Sequence, residues 1–210
     1  MPLTRRYQQG LGLVELMISL VIGMIVIAGA LTITASTMGA NASQMKMSRL
    51  NNELRQVMDV IVRDMRRAGF HNWSVSQTDY SANPQALTAV TTTTGSESVS
   101  VSYDENVNGA LDAATETFRF RHNGSGVETA LGSAGSWSSM IDSSVITITA
   151  LTIEDQSITL AKSGTGGTGG VVTVTVPIYS ITLTGRLVSD IGVSRTIRET
   201  VRIRNVVVAP

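Results

Sequence analysis

The chain has 210 residues, a formal net charge of zero at pH 7 and no cysteine. A balanced charge sets up no long-range field for nucleic acid or an anionic surface, and no Lys/Arg cluster interleaved with aromatics is present, so no nucleic acid partner is expected. The lack of cysteine removes a thiol nucleophile, a thiolate ligand and a disulfide, and leaves stability to a core and to assembly.

Residues 1–10 carry Arg5 and Arg6 and no acid, and end in Gly10. The next six, Leu11-Gly12-Leu13-Val14-Glu15-Leu16, open an apolar run to Ile33 in which Glu15 is the only ionisable residue. That run supplies about the 20 residues a helix needs to cross hydrocarbon. The basic flank predicts a cytoplasmic N-terminus, with everything beyond the span in the periplasm or outside the cell. A charged side chain inside such a helix costs about 2.5–3.5 kcal/mol, so Glu15 calls for a partner or a task. The rival is a secretory signal peptide cut near Ala28-Gly29-Ala30; against it, the run is longer than an ordinary h-region, contains Glu15 and continues as a helix beyond Ala30.

Beyond the span, Met47, Leu50, Leu54, Val57 or Met58, Ile61, Met65 and Ala68 recur every three or four residues as one helical stripe. Asn51, Asn52, Glu53, Arg55, Gln56, Asp59, Arg63, Asp64, Arg66 and Arg67 fall mostly off it, and Gly69 supplies the stop. With no proline from Leu11 to Gly69, one helix of about 58 residues, or about 87 Å, is predicted. Met45, Met47, Met58 and Met65 are read most simply as packing residues. Arg63, Asp64, Arg66 and Arg67 read equally well as a solvated helix end and as a surface for a neighbouring subunit.

From Phe70 onward Ser, Thr and Gly rise and alternation of period two takes over. Strands are predicted at 98–103, 117–122, 145–153, 171–176, 178–188 and 196–208, the last two forming a hairpin through Ser189-Asp190-Ile191-Gly192. Segments 91–98 and 163–170 have too little apolar area to order themselves and are predicted to be loops. The expected fold is α+β: a long N-terminal helix, transmembrane then amphipathic, packed on an antiparallel β-sheet head. The expected division is a leader at 1–10, a transmembrane helix at 11–33, the periplasmic amphipathic half of the same helix at 34–69 and one β-rich head at 70–210.

The leader ending in Gly10, the Leu-Gly-Leu-Val-Glu-Leu after it and the long apolar helix together resemble a type IV prepilin signal of the class III kind. Ile61-Val62-Arg63-Asp64-Met65-Arg66-Arg67-Ala68-Gly69-Phe70 resembles the helix end of minor pilins of the PilW type, and Arg202-Ile203-Arg204-Asn205 resembles their closing strand. The resemblance implies a pilin-like fold, cleavage by a prepilin peptidase after Gly10 and methylation of the new amine of Leu11. It makes Glu15 the fifth residue of the mature chain, pairing with the α-amine of Leu11 on a neighbour. It implies as partners the prepilin peptidase, other minor pilins, the major pilin and the inner-membrane assembly platform. The location implied is a single pass of the inner membrane, then the pilus. Leucine rather than phenylalanine at position 11, no kinking proline in the span and no disulfide loop point to a minor subunit. J-type pseudopilins of type II secretion share this layout. The expected function is therefore a minor pilin that helps to initiate or support pilus assembly. The alternatives are a minor pseudopilin of a type II secretion system and a signal-anchored periplasmic binding domain, with calcium dependence as one form of the latter.

One loop has the makings of a metal site. Asp104, Asn106, Asn108 and Asp112 offer oxygens at spacings like those of a calcium loop, with Gly109 at the turn, so calcium is the one cofactor to consider. The twelfth position is Thr115, with Glu116 one late, so an Asn108-Gly109 turn with solvated acids fits better. His71 and His122 stand in polar contexts without a nucleophile elbow or a zinc-protease motif, and no enzymatic activity is expected.

Overall fold

A computed structural model describes residues 12–72, 90–92, 97–163, 171–204 and 207–209. Helix α1 runs over Leu13–Arg67. Gly10 and Leu11 lie outside the described residues. The chain divides into two compact units, Met1–Lys46 and Met47–Pro210.

In the first unit the helix side chains face outward: Leu13 is 76% exposed and Ile33 70%. Ser19, Thr32, Thr34, Thr37 and Ser43 each donate their hydroxyl to the carbonyl four residues back, at 2.7–3.1 Å. These bonds satisfy five hydroxyls within the helix itself, as an apolar environment favours. The helix is long and apolar enough to cross a membrane.

Among the described residues, the second unit combines the remainder of α1 with eleven antiparallel strands. A five-stranded sheet is ordered β1 (Val90–Thr92), β2 (Ser98–Ser102), β3 (Thr117–Asn123), β4 (Gly126–Leu131) and β5 (Ser138–Ser139). A second sheet sets β9 (Ile178–Leu187) between β6 (Ile146–Asp155) and β10 (Ser194–Arg202). A third sets β8 (Val171–Val176) between β7 (Ile158–Ser163) and β11 (Val207–Ala209). The fold class is α+β, with the helix packed on antiparallel sheet.

The packing follows the helical stripe. Leu50, Leu54, Met58, Ile61 and Met65 are almost fully buried in one core with Val101, Phe120, Ile148, Leu151, Ile181 and Leu183. Each such side chain contributes roughly 1.5–3 kcal/mol by leaving water. The approach of helix to sheet is close at Gly185, where an added Cβ would lie 2.9 Å from Leu54 Cδ2 and 3.2 Å from Ile148 Cδ1. The helix stops as its glycine signals: Gly69 has φ of 69°, and its N–H turns away to Ser102 O at 2.9 Å.

Several expectations need correction. Met45 and Met47 are exposed, at 68% and 51%, so the buried stripe starts at Leu50. The segment 91–98 is not all loop, since Thr91 and Thr92 pair with Ser100 and Val99. The predicted strand at 196–208 is two strands: β10 pairs with β9, whereas β11 pairs with β8 in another sheet. Strands β4, β5 and β7 were not foreseen; β7 begins with exposed Ile158 and Leu160, so no buried face marks its alternation. The rest of segment 163–170, from residue 164, lies outside the described residues.

Candidate functional site

Glu15 sits in the first turn of α1, with its N–H bonded to Gly12 O at 3.0 Å. Its carboxylate is exposed and makes no hydrogen bond or ion pair with any described residue. Around it stand Leu13, Val14, Leu16, Met17 and Ile18, all more than half exposed. A negative charge on this apolar, outward-facing helix meets no partner among the described residues.

The loop between β2 and β3 uses its acids differently. Asp104 is fully buried and Glu116 only 2% exposed, which replaces the expected solvated acids. Asp104 accepts backbone N–H bonds from Asn72 at 3.1 Å, Asn108 at 3.1 Å and Gly109 at 2.8 Å. Glu116 accepts from the N–H groups of Glu105, Asn106 and Asp112 at 3.0, 3.2 and 2.8 Å. Asn106, Asn108 and Asp112 each accept the N–H two residues on, at 3.0, 2.7 and 2.9 Å. Burial pushes the Asp104 carboxyl up, but the N–H donors of Asn72, Gly109, Asn108 and Val107 together outweigh it and hold it below the ordinary value. These oxygens thus cap the backbone of their own loop. No group of three or more His, Cys, Asp or Glu side chains placed to hold a metal ion is found among the described residues.

At the end of α1 the motif of residues 61–70 splits into two faces. Arg63, Arg66 and Arg67 are exposed, whereas Asp64 is buried, which corrects the picture of a uniformly solvated helix end. Asp64 receives Arg63 Nε at 3.2 Å, and burial, the largest influence, raises its carboxyl above the ordinary range. Arg67 lies 4.3 Å over the Tyr103 ring and donates to its hydroxyl at 3.3 Å. Tyr103 is pushed up to about 12, first by burial and then by the Asp64 charge. Its ring stacks on Phe118 at 4.6 Å, so Arg67 ties the helix end to β3 through Tyr103.

His122 is also structural, with Nδ1 3.0 Å from Glu97 Oε2 and Nε2 3.0 Å from the Ile148 carbonyl. Sequence reading missed the capping role of Glu116; its signal was the glutamate falling one residue late for a calcium loop.

A long apolar helix carrying one acid near its start, continuing into an antiparallel β unit, defines a type IV prepilin-like minor pilin. The sequence matches the prokaryotic N-terminal methylation motif over residues 5–31. It also matches the family described as prepilin peptidase-dependent protein B over residues 43–203, and the chain belongs to that family. No curated protein and no solved structure matches it. Pilin-like families are structural rather than enzymatic, and dependence on prepilin peptidase makes that enzyme a partner in processing.

Proposed function

We propose that the chain is a minor pilin of a type IV pilus that helps to initiate or support its assembly. Prepilin peptidase cuts after Gly10, the amine of Leu11 is methylated, and the mature chain crosses the inner membrane once with its N-terminus cytoplasmic and its head periplasmic. There it meets the assembly platform, the other minor pilins and the major pilin.

The observation that carries this reading is Glu15, without a partner among the described residues on an outward-facing apolar helix and fifth after Gly10 within the methylation motif. In a bundle of such helices, Glu15 of one subunit pairs with the Leu11 α-amine of the next, and each charge offsets the desolvation of the other. A helix docked out of register would leave two unpaired charges in an apolar bundle, so the pair also sets axial register.

The first test is intact mass and N-terminal sequencing of protein from its native membrane. A chain starting at Leu11 with one added methyl is expected; a chain starting at Met1 or cut near Ala30 overturns the reading. Recovery with a secretion machine rather than with pili would make the same processed chain a pseudopilin. Function retained without any filament would leave a membrane-anchored binding domain.

A further inference from the structure

The last turn of α1 and the loop it meets enclose a cavity of about 510 Å³. Arg63, Arg66 and Arg67 line it, three and four residues apart and so on one helix face, and Arg204 joins them two residues after β10 ends. Phe70, Glu105 and Val107 complete the wall. Arg63 is engaged by Asp64, and Arg67 by Tyr103 and, at 3.9 Å, by Glu105. Arg66 and Arg204 make no hydrogen bond or ion pair with any described residue. Four cations against Glu105 and the neighbouring Asp64 leave the cavity with an uncompensated positive charge.

Its other walls are apolar and held in place at a cost. Phe70 is 43% exposed and Val107 49%. Val107 has φ of 62°, the only positive φ among the described non-glycine residues, and a conformation that β-branched side chains rarely adopt. The loop enforces it: Asp104 and Glu116 hold the backbone on either side, and Asn72 Nδ2 donates to the Val107 carbonyl at 3.0 Å. Glycine would adopt this φ freely, so what the valine adds is an apolar side chain displayed on the cavity wall.

We propose that this cavity docks an acidic segment of a partner polypeptide, its carboxylate taken by Arg66 and Arg204 and an adjoining apolar side chain laid on Phe70 and Val107. Planar guanidinium groups match a carboxylate with two parallel hydrogen bonds, and arginine with aromatic residues is the composition of protein interfaces. A lone phosphate would satisfy the arginines but leave Phe70 and Val107 wet, and the cavity has the volume of a site for something larger than one anion. The surface lies wholly within the second unit, so the proposal stands apart from the filament reading and is tested without a filament.

The test is fluorescence anisotropy with full-length protein in neutral detergent and a labelled, end-blocked hexapeptide of alternating glutamate and leucine. The wild type is expected to bind it and to ignore the glutamine–leucine counterpart. The double variant Arg66→Gln/Arg204→Gln should weaken binding by about tenfold or more with its thermal midpoint unchanged, because neither side chain has a hydrogen bond or ion pair to lose among the described residues. Removing the same charge elsewhere, with Arg195→Gln/Arg202→Gln, should leave binding intact. Val107→Gly should relieve the backbone, holding or raising the midpoint, and still weaken binding several-fold, which a purely structural role would not do. No binding by the wild type, equal binding of the glutamine peptide or an unaffected double variant overturns the proposal. Full displacement by millimolar inorganic phosphate also overturns it, in favour of a simple anion site.

Discussion

Glu15 and the pair Asp104 and Glu116 are acids in one chain under opposite regimes. Glu15 stands on a helix of which five hydroxyls bond back to its own carbonyls and whose apolar side chains face outward, and no described group meets its charge. Asp104 and Glu116 are buried, and between them they accept six backbone N–H bonds from their own loop and Asn72. A carboxylate matched inside the chain stabilises the fold, whereas one left unmatched in apolar surroundings is available to a partner. The sequence contexts already differ, an apolar run against a polar loop, and the accounting of hydrogen bonds shows what each acid does with its charge.

The contrast is broken most directly at Glu15. Glu15→Ala should lower incorporation into assembled filaments by about a hundredfold or more, since removing one member of a buried ion pair costs about 3–5 kcal/mol. Membrane insertion and the thermal midpoint of the head should stay at wild-type values. Immunoblots of sheared filaments against membrane fractions measure this, and normal incorporation would remove Glu15 from assembly.

The core of the second unit should answer in the opposite way. Leu54→Ala empties space beside Gly185 and should cost about 2–5 kcal/mol of unfolding free energy, read by denaturant titration. Gly185→Val fills the same close approach and should cost about 1–3 kcal/mol by overpacking. Glu116→Ala leaves three N–H groups without their acceptor and should lose roughly 1–3 kcal/mol, placing loop capping just below core packing.

Acidification sharpens the comparison between two buried acids. The Asp104 carboxyl is held below its ordinary value in the fold. Its contribution is therefore complete above the ordinary carboxylate range and is lost as pH falls through the lowered value. Asp64 is raised by burial, so its contribution is complete below the ordinary range and is lost as pH rises through the raised value. Between neutral pH and about pH 3 the thermal midpoint of Asp104→Asn should fall less than that of wild type, and that of Asp64→Asn should fall more. Identical slopes for the two variants would refute the assignment. The smallest effect expected is that of calcium: with the loop oxygens already accepting N–H bonds, millimolar calcium should move the midpoint by no more than about 1 °C, near the effect of a few tenths of a kcal/mol.

Local patterns made much of this fold legible. The apolar run, the stripe from Leu50 to Met65 and the glycine stop specified α1, because helix formation and burial follow periodicities of a few residues. The β9–β10 hairpin was equally legible, and its register sets Ser194 opposite Arg186. The tail was not: Ile203 and Arg204 keep the alternation of β10 and the valines at 206–208 are strand formers as well, so only pairing with β8 shows that the chain has changed sheets. Met47 fits the stripe as well as Leu50 does, yet it is exposed, since a pattern marks which face is apolar without saying where cover begins.

By itself, then, the sequence determined the helix, the lone acid of its apolar run, the β-rich head and the family, all of which rest on residues close together in the chain. Only the tertiary structure decided which acids are consumed by their own loop, that Asp64 is buried while its three neighbouring arginines are not, and that Arg204 comes to the same cavity as Arg66. Those outcomes depend on contacts between residues far apart in sequence, and spacing along the chain carries no information about which distant N–H, guanidinium or ring a side chain will meet.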